Sequence, residues 1–384
     1  MTVTAPKGFK AAAVAAGIKP SGRADVALVV NEGPLSAAAG VFTANRIKAA
    51  PVLWSEQVLK AGKVVAVALN AGNANACTGT LGFQHAHRTA EEVATSLEAS
   101  AAQVAVCSTG LIGDYLPIEK LLAGLHEARQ KLTSTGGADA AQAIMTTDTV
   151  PKQTVVVSPA GWTLGGMAKG AGMMAPGLAT MLVVLTTDAV ADAAELDAAL
   201  RAATAKTFDR LDSDGCMSTN DTVLLLASGA SGVTPAAGEL AAAVERACAD
   251  LAEQLIDDCE GASKVIAIET RGAASEKEAL DVARAVSRSN LLKCAIHGQD
   301  PNWGRILAAV GTTEATFDAD AIDVAINGVW ICRGSTIGDD RAGVDLTNRR
   351  VEITIDLHAG AAAATLLTND LTAAYVHENS AYST

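Results

Sequence analysis

The chain has 384 residues, a length typical of two or three domains. Hydrophobic residues make up 49% of it and charged residues 18%, which excludes a disordered chain. The formal net charge of −13, without any basic block, argues against nucleic acid or an anionic membrane as the main partner.

Apolar segments of strand length alternate with helical patterns from one end of the chain to the other. The Val and Ile content of the short segments is typical of buried strands. The predicted strands are 26–30, 64–69, 104–107, 154–157, 180–185, 223–227, 265–268, 322–326 and 351–355. The predicted helices are 89–99, 118–132, 193–211, 235–255 and 277–290.

The alternation of these elements predicts an α/β or α+β class with two sheets. The dipeptide Asn327-Gly328 predicts a two-residue hairpin between two strands. Ser, Gly and Pro cluster at 229–235 before a long helical stretch, and this is the best candidate for a domain boundary. Aromatic residues are only 3% of the chain, so small aliphatic residues and glycine must build the core.

No segment directs the chain to a membrane or to secretion. The apolar stretch 11–18 is rich in alanine and lacks the Leu and Val density of a signal peptide. No apolar run approaches the roughly 18 residues of a membrane-spanning helix. The seven cysteines are scattered and contain no C-x-x-C pair, which predicts buried free thiols in a reducing compartment. We therefore expect a cytoplasmic protein.

Two short motifs suggest chemistry that their context does not support. Residues 170–175 fit a loose dinucleotide-binding pattern, but Pro176 follows at once and a strand-like run comes next. His85 and His87 suggest a metal site, but no Cys or carboxylate cluster lies at ligand spacing. A solvated helix start is the favoured interpretation of the two histidines, and no metal is expected.

The segment 169–182 is the strongest candidate for chemistry. Its three glycines and one proline precede Thr180, which begins an apolar run, and the preceding Ala179 is small. Constrained backbone can push the Thr180 hydroxyl onto the carbonyl of Ala179, and hydrolysis of the resulting ester would leave Thr180 as a new N-terminus. From spacing alone, the alternative that Thr180 simply starts a buried strand after a turn stays open.

The product of such a cleavage would be a self-sufficient nucleophile. An α-amino group titrates near pH 7.7–8.0, against about 10.4 for lysine, so an appreciable fraction is neutral at pH 7. Thr180 would then hold both the nucleophilic hydroxyl and the base that activates it.

This segment resembles the self-cleavage and nucleophile motif of the ornithine acetyltransferase (glutamate N-acetyltransferase) family of arginine biosynthesis. Further blocks are similar to that family and occur in a similar order. They are 70–79, 108–113, 144–149, 300–305 and 379–384. The resemblance therefore covers essentially the whole chain, and its blocks are specific as a set.

The resemblance assigns roles to individual residues. It implies cleavage between Ala179 and Thr180, with Thr180 as nucleophile and its α-amine as base. It implies that Thr109 and Gly110 form the oxyanion hole, which suits their position after a predicted strand. The implied substrate contacts are Thr146, Lys169, Thr180, Glu260, Asn379 and Thr384.

Several of these contacts have simpler alternatives. Lys169 and Glu260 have the right charges for the carboxylate and the amine of an amino acid. Equally, Lys169 fits a solvated loop charge and Glu260 an acidic helix end. The choice between Thr146 and Thr147 stays open. Departures from the family pattern at 216–217, at 366–370 and at Ser383 leave amino-acid specificity less determined than the reaction class.

The implied fold is a layered αββα core of the aminopeptidase and ornithine acetyltransferase type, with a smaller α/β domain in the C-terminal half. The expected core spans 1–234 and 346–384, and the smaller domain spans 235–345. The expected cleavage products, 1–179 and 180–384, would share one core and associate as an α2β2 heterotetramer or larger assembly.

The implied activity is transfer of the acetyl group from N2-acetyl-L-ornithine to L-glutamate through an acetyl-Thr180 intermediate, in a ping-pong scheme without a cofactor. Whether acetyl-CoA also serves as donor stays open. The main alternative is a self-processing aminopeptidase or amidase that transfers the acyl group to water. A second alternative is a non-enzymatic binding protein, which would keep an intact, unacetylated chain.

Overall fold

The structure is a computed structural model that describes residues 2–175 and 181–381. Within these ranges the chain forms a mixed α/β fold of three sheets and ten α-helices. The strands are β1 (Phe9–Val14), β2 (Val26–Asn31), β3 (Ala37–Phe42), β4 (Ala66–Asn73), β5 (Val104–Leu111), β6 (Lys152–Val157), β7 (Thr163–Lys169), β8 (Leu182–Thr187), β9 (Thr222–Ala227), β10 (Val265–Ala273), β11 (Asp323–Ile326), β12 (Val329–Arg333), β13 (Thr336–Ile337), β14 (Arg350–Asp356) and β15 (Ala362–Asn369). The helices are α1 (Ala50–Leu59), α2 (Gly79–Ser96), α3 (Ile118–Gln130), α4 (Gly137–Ala143), α5 (Ala193–Lys206), α6 (Glu239–Asp257), α7 (Glu276–Ser287), α8 (Asn290–His297), α9 (Trp303–Val310) and α10 (Ala373–Ala381).

Two sheets pack face to face to form the larger core. One has the strand order β1-β2-β4-β5 and the other the order β3-β9-β8-β7-β6. Period-two alternation in β8 explains the layering: Leu182 and Val184 face the first sheet, whereas Val183 and Leu185 face the helices α5 and α6. Helices α2 and α3 cover the outer face of the first sheet. The result is the αββα arrangement that the family resemblance implied.

The third sheet forms a second, smaller core. Its order is β13-β12-β11-β14-β10-β15, and α7 packs across β10 and β15. Its core is largely aliphatic, including Ile268, Val282 and Ile353. The expectation of two sheets is therefore corrected to three.

The expected domain boundaries at 235 and 345 stay a prediction, and the packing of the elements around them is as follows. Helix α6 buries its apolar face, including Val244 and Leu251, against the larger core. Strands β14 and β15 pair with β10, so they belong to the smaller core. The chain therefore leaves the larger core near residue 258, after α6, and leaves the smaller core near residue 370, after β15. The pairing of β10 with strands far along the chain is not visible in local sequence.

Strands rich in Val and Ile were well predicted. All nine predicted strands occur; the fifth, predicted from residue 180, is observed at Leu182–Thr187, and Thr180 itself lies outside the described residues. Alanine- and glycine-rich strands were missed, among them β1, β3, β7 and β15, because such residues have low strand propensity. The Asn327-Gly328 hairpin is confirmed: both residues have positive φ, 48° and 82°, as a type I′ turn requires.

Two side-chain predictions need correction. Helix α2 starts ten residues earlier than predicted, so His85 lies within it and is 8% exposed rather than solvated at its start. All seven cysteines are free thiols as expected, but only Cys107, Cys248, Cys259 and Cys332 are buried. No helix among the described residues is long and apolar enough to cross a membrane.

Candidate active site

One cavity of about 630 Å³ collects the predicted site residues that the structure describes. Residues from distant parts of the chain line it, namely Thr109, Gly110, Thr146, Lys169, Glu260 and Asn379. Thr147 also lines the cavity, so the choice between Thr146 and Thr147 stays open. Ala179, Thr180 and Thr384 lie outside the described residues. The volume is within the usual range for a small-molecule site, roughly 300–1,000 Å³.

The end of β5 supplies Thr109 and Gly110. This strand runs parallel to β4, and Gly110 lies against Gly72 in the neighbouring strand end. Gly110 has a φ of 129°, and a Cβ there would overlap the backbone carbonyl carbon of Gly72. Only glycine satisfies both constraints, so the sequence Thr-Gly at this strand end has a local structural cause.

A network of asparagine and serine side chains holds these strand ends in place. The Ser108 hydroxyl donates to Asn70 Oδ1 at 2.6 Å, and Asn70 Nδ2 donates to the carbonyl of Asn73 at 2.8 Å. Asn220 Nδ2 donates to the carbonyls of Ala74, at 2.6 Å, and Ser108, at 2.8 Å. The asparagine-rich block 70–79 therefore acts as a scaffold beside the cavity, with each buried amide satisfied at these contacts.

Lys169 ends β7 and is buried, with only 2% of its surface exposed. This burial excludes the alternative of a solvated loop charge. Its Nζ donates to Thr109 Oγ1 at 3.2 Å, so the Thr109 hydroxyl keeps its own hydrogen to donate elsewhere. Burial lowers the pKa of Lys169, an effect that nearby Asp148 opposes.

A chain of buried ionic groups starts at the cavity wall, where Asp148 is one of the lining residues, and continues away from the cavity. Lys152 is fully buried, and its Nζ donates to Asp148 Oδ1 at 2.7 Å and to Asp258 Oδ2 at 2.6 Å. Asp148 also accepts from the backbone N–H of Gly170 at 2.6 Å and from that of Thr146 at 2.9 Å. We call Asp148, Lys152 and Asp258 the ion chain. It ties together the segments that carry Thr146, Lys169 and Glu260. Asp148 stands in the block 144–149, but no sequence motif indicated its pairing with Lys152 and Asp258.

Glu260 lies just beyond α6 and faces the cavity rather than forming an acidic helix end. Its backbone N–H donates to the carbonyl of Ala171 at 2.9 Å. Its carboxylate packs over Gly172, where a Cβ would lie 2.5 Å from Glu260 Cδ. Asn379 of the C-terminal helix α10 donates to Glu260 Oε2 at 3.0 Å. The tail of the chain is thereby joined to the cavity wall.

Two aspartates, the partly buried Asp214 and the fully buried Asp221, hold the backbone on both sides of residues 176–180, which lie outside the described ranges. Before them, Met173 has a φ of 57° and its N–H donates to Asp214 Oδ2 at 2.7 Å. Burial raises the pKa of Asp214 to about 6. After them, the N–H of Met181 donates to Asp221 Oδ1 at 3.1 Å, and burial raises the pKa of Asp221 well above its usual range. Both carboxyls were missed by sequence motifs.

Two further cations line the cavity, Lys19 and Arg23 on the loop between β1 and β2. No sequence motif marked them. Among the described residues, no group of three or more His, Cys, Asp or Glu side chains is arranged to hold a metal ion.

Comparisons with known proteins identify relatives along the full chain. The model of the ArgJ family matches residues 10–384. The arginine biosynthesis bifunctional protein ArgJ of Streptomyces avermitilis is 65% identical over 383 residues, covering 100% of both chains. The protein of the same name from Thermobifida fusca is 61% identical over 384 residues, again covering 100% of both. A crystal structure of ornithine acetyltransferase complexed with ornithine, from Mycobacterium tuberculosis, is 58% identical with a TM-score of 0.45, covering 47% of this chain and 96% of that one.

Proposed function

The chain belongs to the ArgJ family, which makes it an acyltransferase of arginine biosynthesis, and on that premise we propose the reaction and the residues that perform it. It transfers the acetyl group of N2-acetyl-L-ornithine to L-glutamate, giving ornithine and N-acetylglutamate. The observation that carries this assignment is the meeting, in one cavity, of a hydroxyl and a backbone N–H at a strand end with a buried lysine and a carboxylate. This set suits acyl transfer from one amino acid to another better than transfer to water.

The nucleophile forms by self-cleavage. The Thr180 hydroxyl attacks the carbonyl of Ala179, the peptide nitrogen leaves as the Thr180 α-amine, and water hydrolyses the ester to free the Ala179 carboxylate. Support for this proposal comes from the restrained backbone on both sides, where Asp214 holds Met173 and Asp221 holds Met181.

Acetyl transfer follows in two half-reactions. The Thr180 hydroxyl, deprotonated by its own α-amine, attacks the acetyl carbonyl of the donor, and ornithine leaves with the proton on its α-nitrogen. The α-amine of glutamate then attacks the acetyl ester, and Thr180 recovers its hydroxyl proton. Thr109 O–H and Gly110 N–H donate to the oxyanion that forms in both steps, and losing one such donor costs roughly 3–4 kcal/mol in comparable sites.

The substrate contacts divide by charge. Lys169 binds a substrate carboxylate and Glu260 a substrate amine, with Thr146, Asn379 and Thr384 completing the set. Neither a metal nor a bound cofactor takes part in this scheme. An assay of glutamate acetylation with acetyl-CoA alone decides whether acetyl-CoA also serves as a donor.

The two fragments stay together after cleavage. Strand β7 of fragment 1–179 pairs along its length with β8 of fragment 180–384, from Leu164 opposite Thr187 to Lys169 opposite Leu182. Strand β3 likewise pairs with β9. Cutting the connection between paired strands leaves these ladders and the shared core in place. We propose that the paired fragments assemble as α2β2 or larger and work in the cytoplasm.

The Thr180→Ala variant tests this function. We expect a single uncut chain by denaturing intact-mass measurement and no acetyl transfer, while wild type shows fragments meeting between Ala179 and Thr180. Thr354→Ala, on the partly exposed face of the smaller sheet, is the control and should be cut and active like wild type. Normal turnover by Thr180→Ala contradicts the mechanism. Release of ornithine that is equally fast without glutamate favours the hydrolase alternative.

A further inference from the structure

Two cations in the cavity have no role in the substrate contacts described so far. Lys19 and Arg23 lie on the loop between β1 and β2 and line the same cavity as Lys169 and Glu260. Asp25 is fully buried and anchors this loop, because its carboxylate accepts the backbone N–H groups of Ala16, at 2.7 Å, Ile18, at 2.6 Å, and Lys19, at 2.9 Å. The backbone position of Lys19 is therefore set by the fold, and Arg23 follows four residues later on the same loop.

Lys19 lies next to the oxyanion end of the cavity. A Cβ on Gly72 would lie 3.2 Å from Lys19 Cγ, and Gly72 is itself the neighbour of Gly110 in the β4–β5 ladder. Lys19 Nζ donates to the carbonyls of Ala24 and Ala143, both at 2.8 Å. An ammonium has three hydrogens, so one remains for a ligand.

Arg23 is exposed at the cavity rim. Among the described residues, the structure records no ion pair or hydrogen bond for its guanidinium. A guanidinium is suited to bind a carboxylate through two parallel hydrogen bonds. Lys19 and Arg23 together therefore offer an anion a half-buried ammonium and a planar guanidinium that has no recorded partner among the described residues.

The proposed reaction includes one substrate anion without an assigned binding residue, the side-chain carboxylate of the acceptor. The donor side chain ends in an ammonium, and the acceptor side chain ends in a carboxylate, yet both substrates must present their α-nitrogen to Thr180. Glu260 suits the ammonium of the donor and repels the side-chain carboxylate of the acceptor. If Lys169 holds the α-carboxylate that both substrates share, then Lys19 and Arg23 are the remaining cations among the described lining residues.

We propose that Lys19 and Arg23 bind the side-chain carboxylate of the acceptor glutamate and so determine acceptor specificity. This inference rests on the proposed acetyl transfer. In each turnover the donor ammonium and the acceptor carboxylate then contact different residues of one cavity, and a single site serves two side chains of opposite charge.

Ping-pong kinetics test this directly, because kcat/KM for each substrate reports its own half-reaction. In Arg23→Gln and Lys19→Met we expect kcat/KM for glutamate to fall about tenfold or more, the usual effect of losing a hydrogen bond to a charged group. We expect kcat/KM for N2-acetyl-L-ornithine to change far less. Arg46→Gln, at an exposed arginine on another loop, is the matched control and should leave both kcat/KM values unchanged.

Glutamine as acceptor is the second probe. The double variant should lose most of the preference that wild type has for glutamate over glutamine.

The outcomes separate this inference from the proposed function. Equal losses for donor and acceptor, or an unchanged preference for glutamate, overturn the acceptor site. Formation of acetyl-Thr180 from N2-acetyl-L-ornithine alone, followed by intact mass, tests the proposed function independently. If wild type and variants all form it but glutamate kinetics are unchanged, only the acceptor site is refuted. If wild type does not form it, the proposed function itself fails.

Discussion

Replacing Lys152 with methionine removes the middle of the ion chain while keeping a side chain of similar length. Lys152 is fully buried and contacts Asp148 at 2.7 Å and Asp258 at 2.6 Å. Through these carboxylates it connects the segments of three candidate substrate contacts, Thr146, Lys169 and Glu260. Lys152 itself does not line the cavity, whereas its partner Asp148 does. Its effect on catalysis would therefore act through the position and charge of Asp148 and of these segments.

The cost to stability follows from burial. Removing one partner of a buried ion pair leaves an uncompensated charge and costs about 3–5 kcal/mol. A domain of ordinary stability, roughly 5–15 kcal/mol, would survive this loss in many cases. A displacement of the substrate contacts by about 1 Å can lower the rate roughly a hundredfold, so we expect kcat/KM for both substrates to fall by that order.

The pH dependence of the loss has a definite sign. Burial alone would raise the pKa of Asp148, but Lys169 and Lys152 beside it bring the pKa below its usual range. A carboxyl with a depressed folded pKa stabilises the protein above its unfolded pKa and loses that contribution as the pH falls. In Lys152→Met the pKa of Asp148 rises, so protonation relieves the buried charge. The difference in unfolding free energy between wild type and variant should therefore narrow as the pH falls from 7 towards 4.

Lys264→Met is the matched comparison. Lys264 is also buried, and its Nζ donates to three carbonyls, those of Leu346 at 2.6 Å, Thr347 at 3.0 Å and Asn348 at 2.8 Å. These contacts lie at the smaller core, away from the cavity lining. Unfolding by urea and steady-state kinetics on the folded proteins should show stability loss in both variants and a kinetic defect only in Lys152→Met. Wild-type kcat/KM in folded Lys152→Met, or an equal defect in Lys264→Met, would refute a positioning role for the ion chain.

Two further predictions concern the backbone around the cavity. Gly110→Ala should unfold at a distinctly lower temperature than Gly113→Ala. Both glycines have a positive φ, 129° and 89°, but only at Gly110 would a Cβ overlap neighbouring backbone. Equal melting temperatures for the two variants would contradict this explanation. Asp214→Asn should flatten the dependence of unfolding free energy on pH between 4 and 7, since the raised pKa of Asp214, about 6, means that wild type loses stability as the pH rises from about 4 to 6. The variant keeps one oxygen where wild type has two, which accept the N–H groups of Met173 and Cys216, so the slope measured by urea unfolding is the test rather than the absolute stability; a profile as steep as wild type contradicts the raised pKa.

Much of the fold could be predicted from local sequence. Val- and Ile-rich strands, the Asn327-Gly328 turn and the amphipathic helices each bury or expose residues in a pattern that neighbours along the chain determine. Strands such as β1 and β15, which are rich in alanine, have no such signal and form because long-range ladder partners complete them. The same holds for β10, which pairs with strands about a hundred residues away.

For the site, the sequence by itself indicated candidate residues. Its resemblance to a known family pointed to Thr109, Gly110, Lys169 and Glu260, and all four line one cavity. Only the tertiary structure decided how they are held and what accompanies them. Lys152 joins carboxylates 4 and 106 residues away, and Lys19 reaches a carbonyl 124 residues away. A buried charge is stable only where partners from several segments converge, and that convergence exists only once the chain has folded.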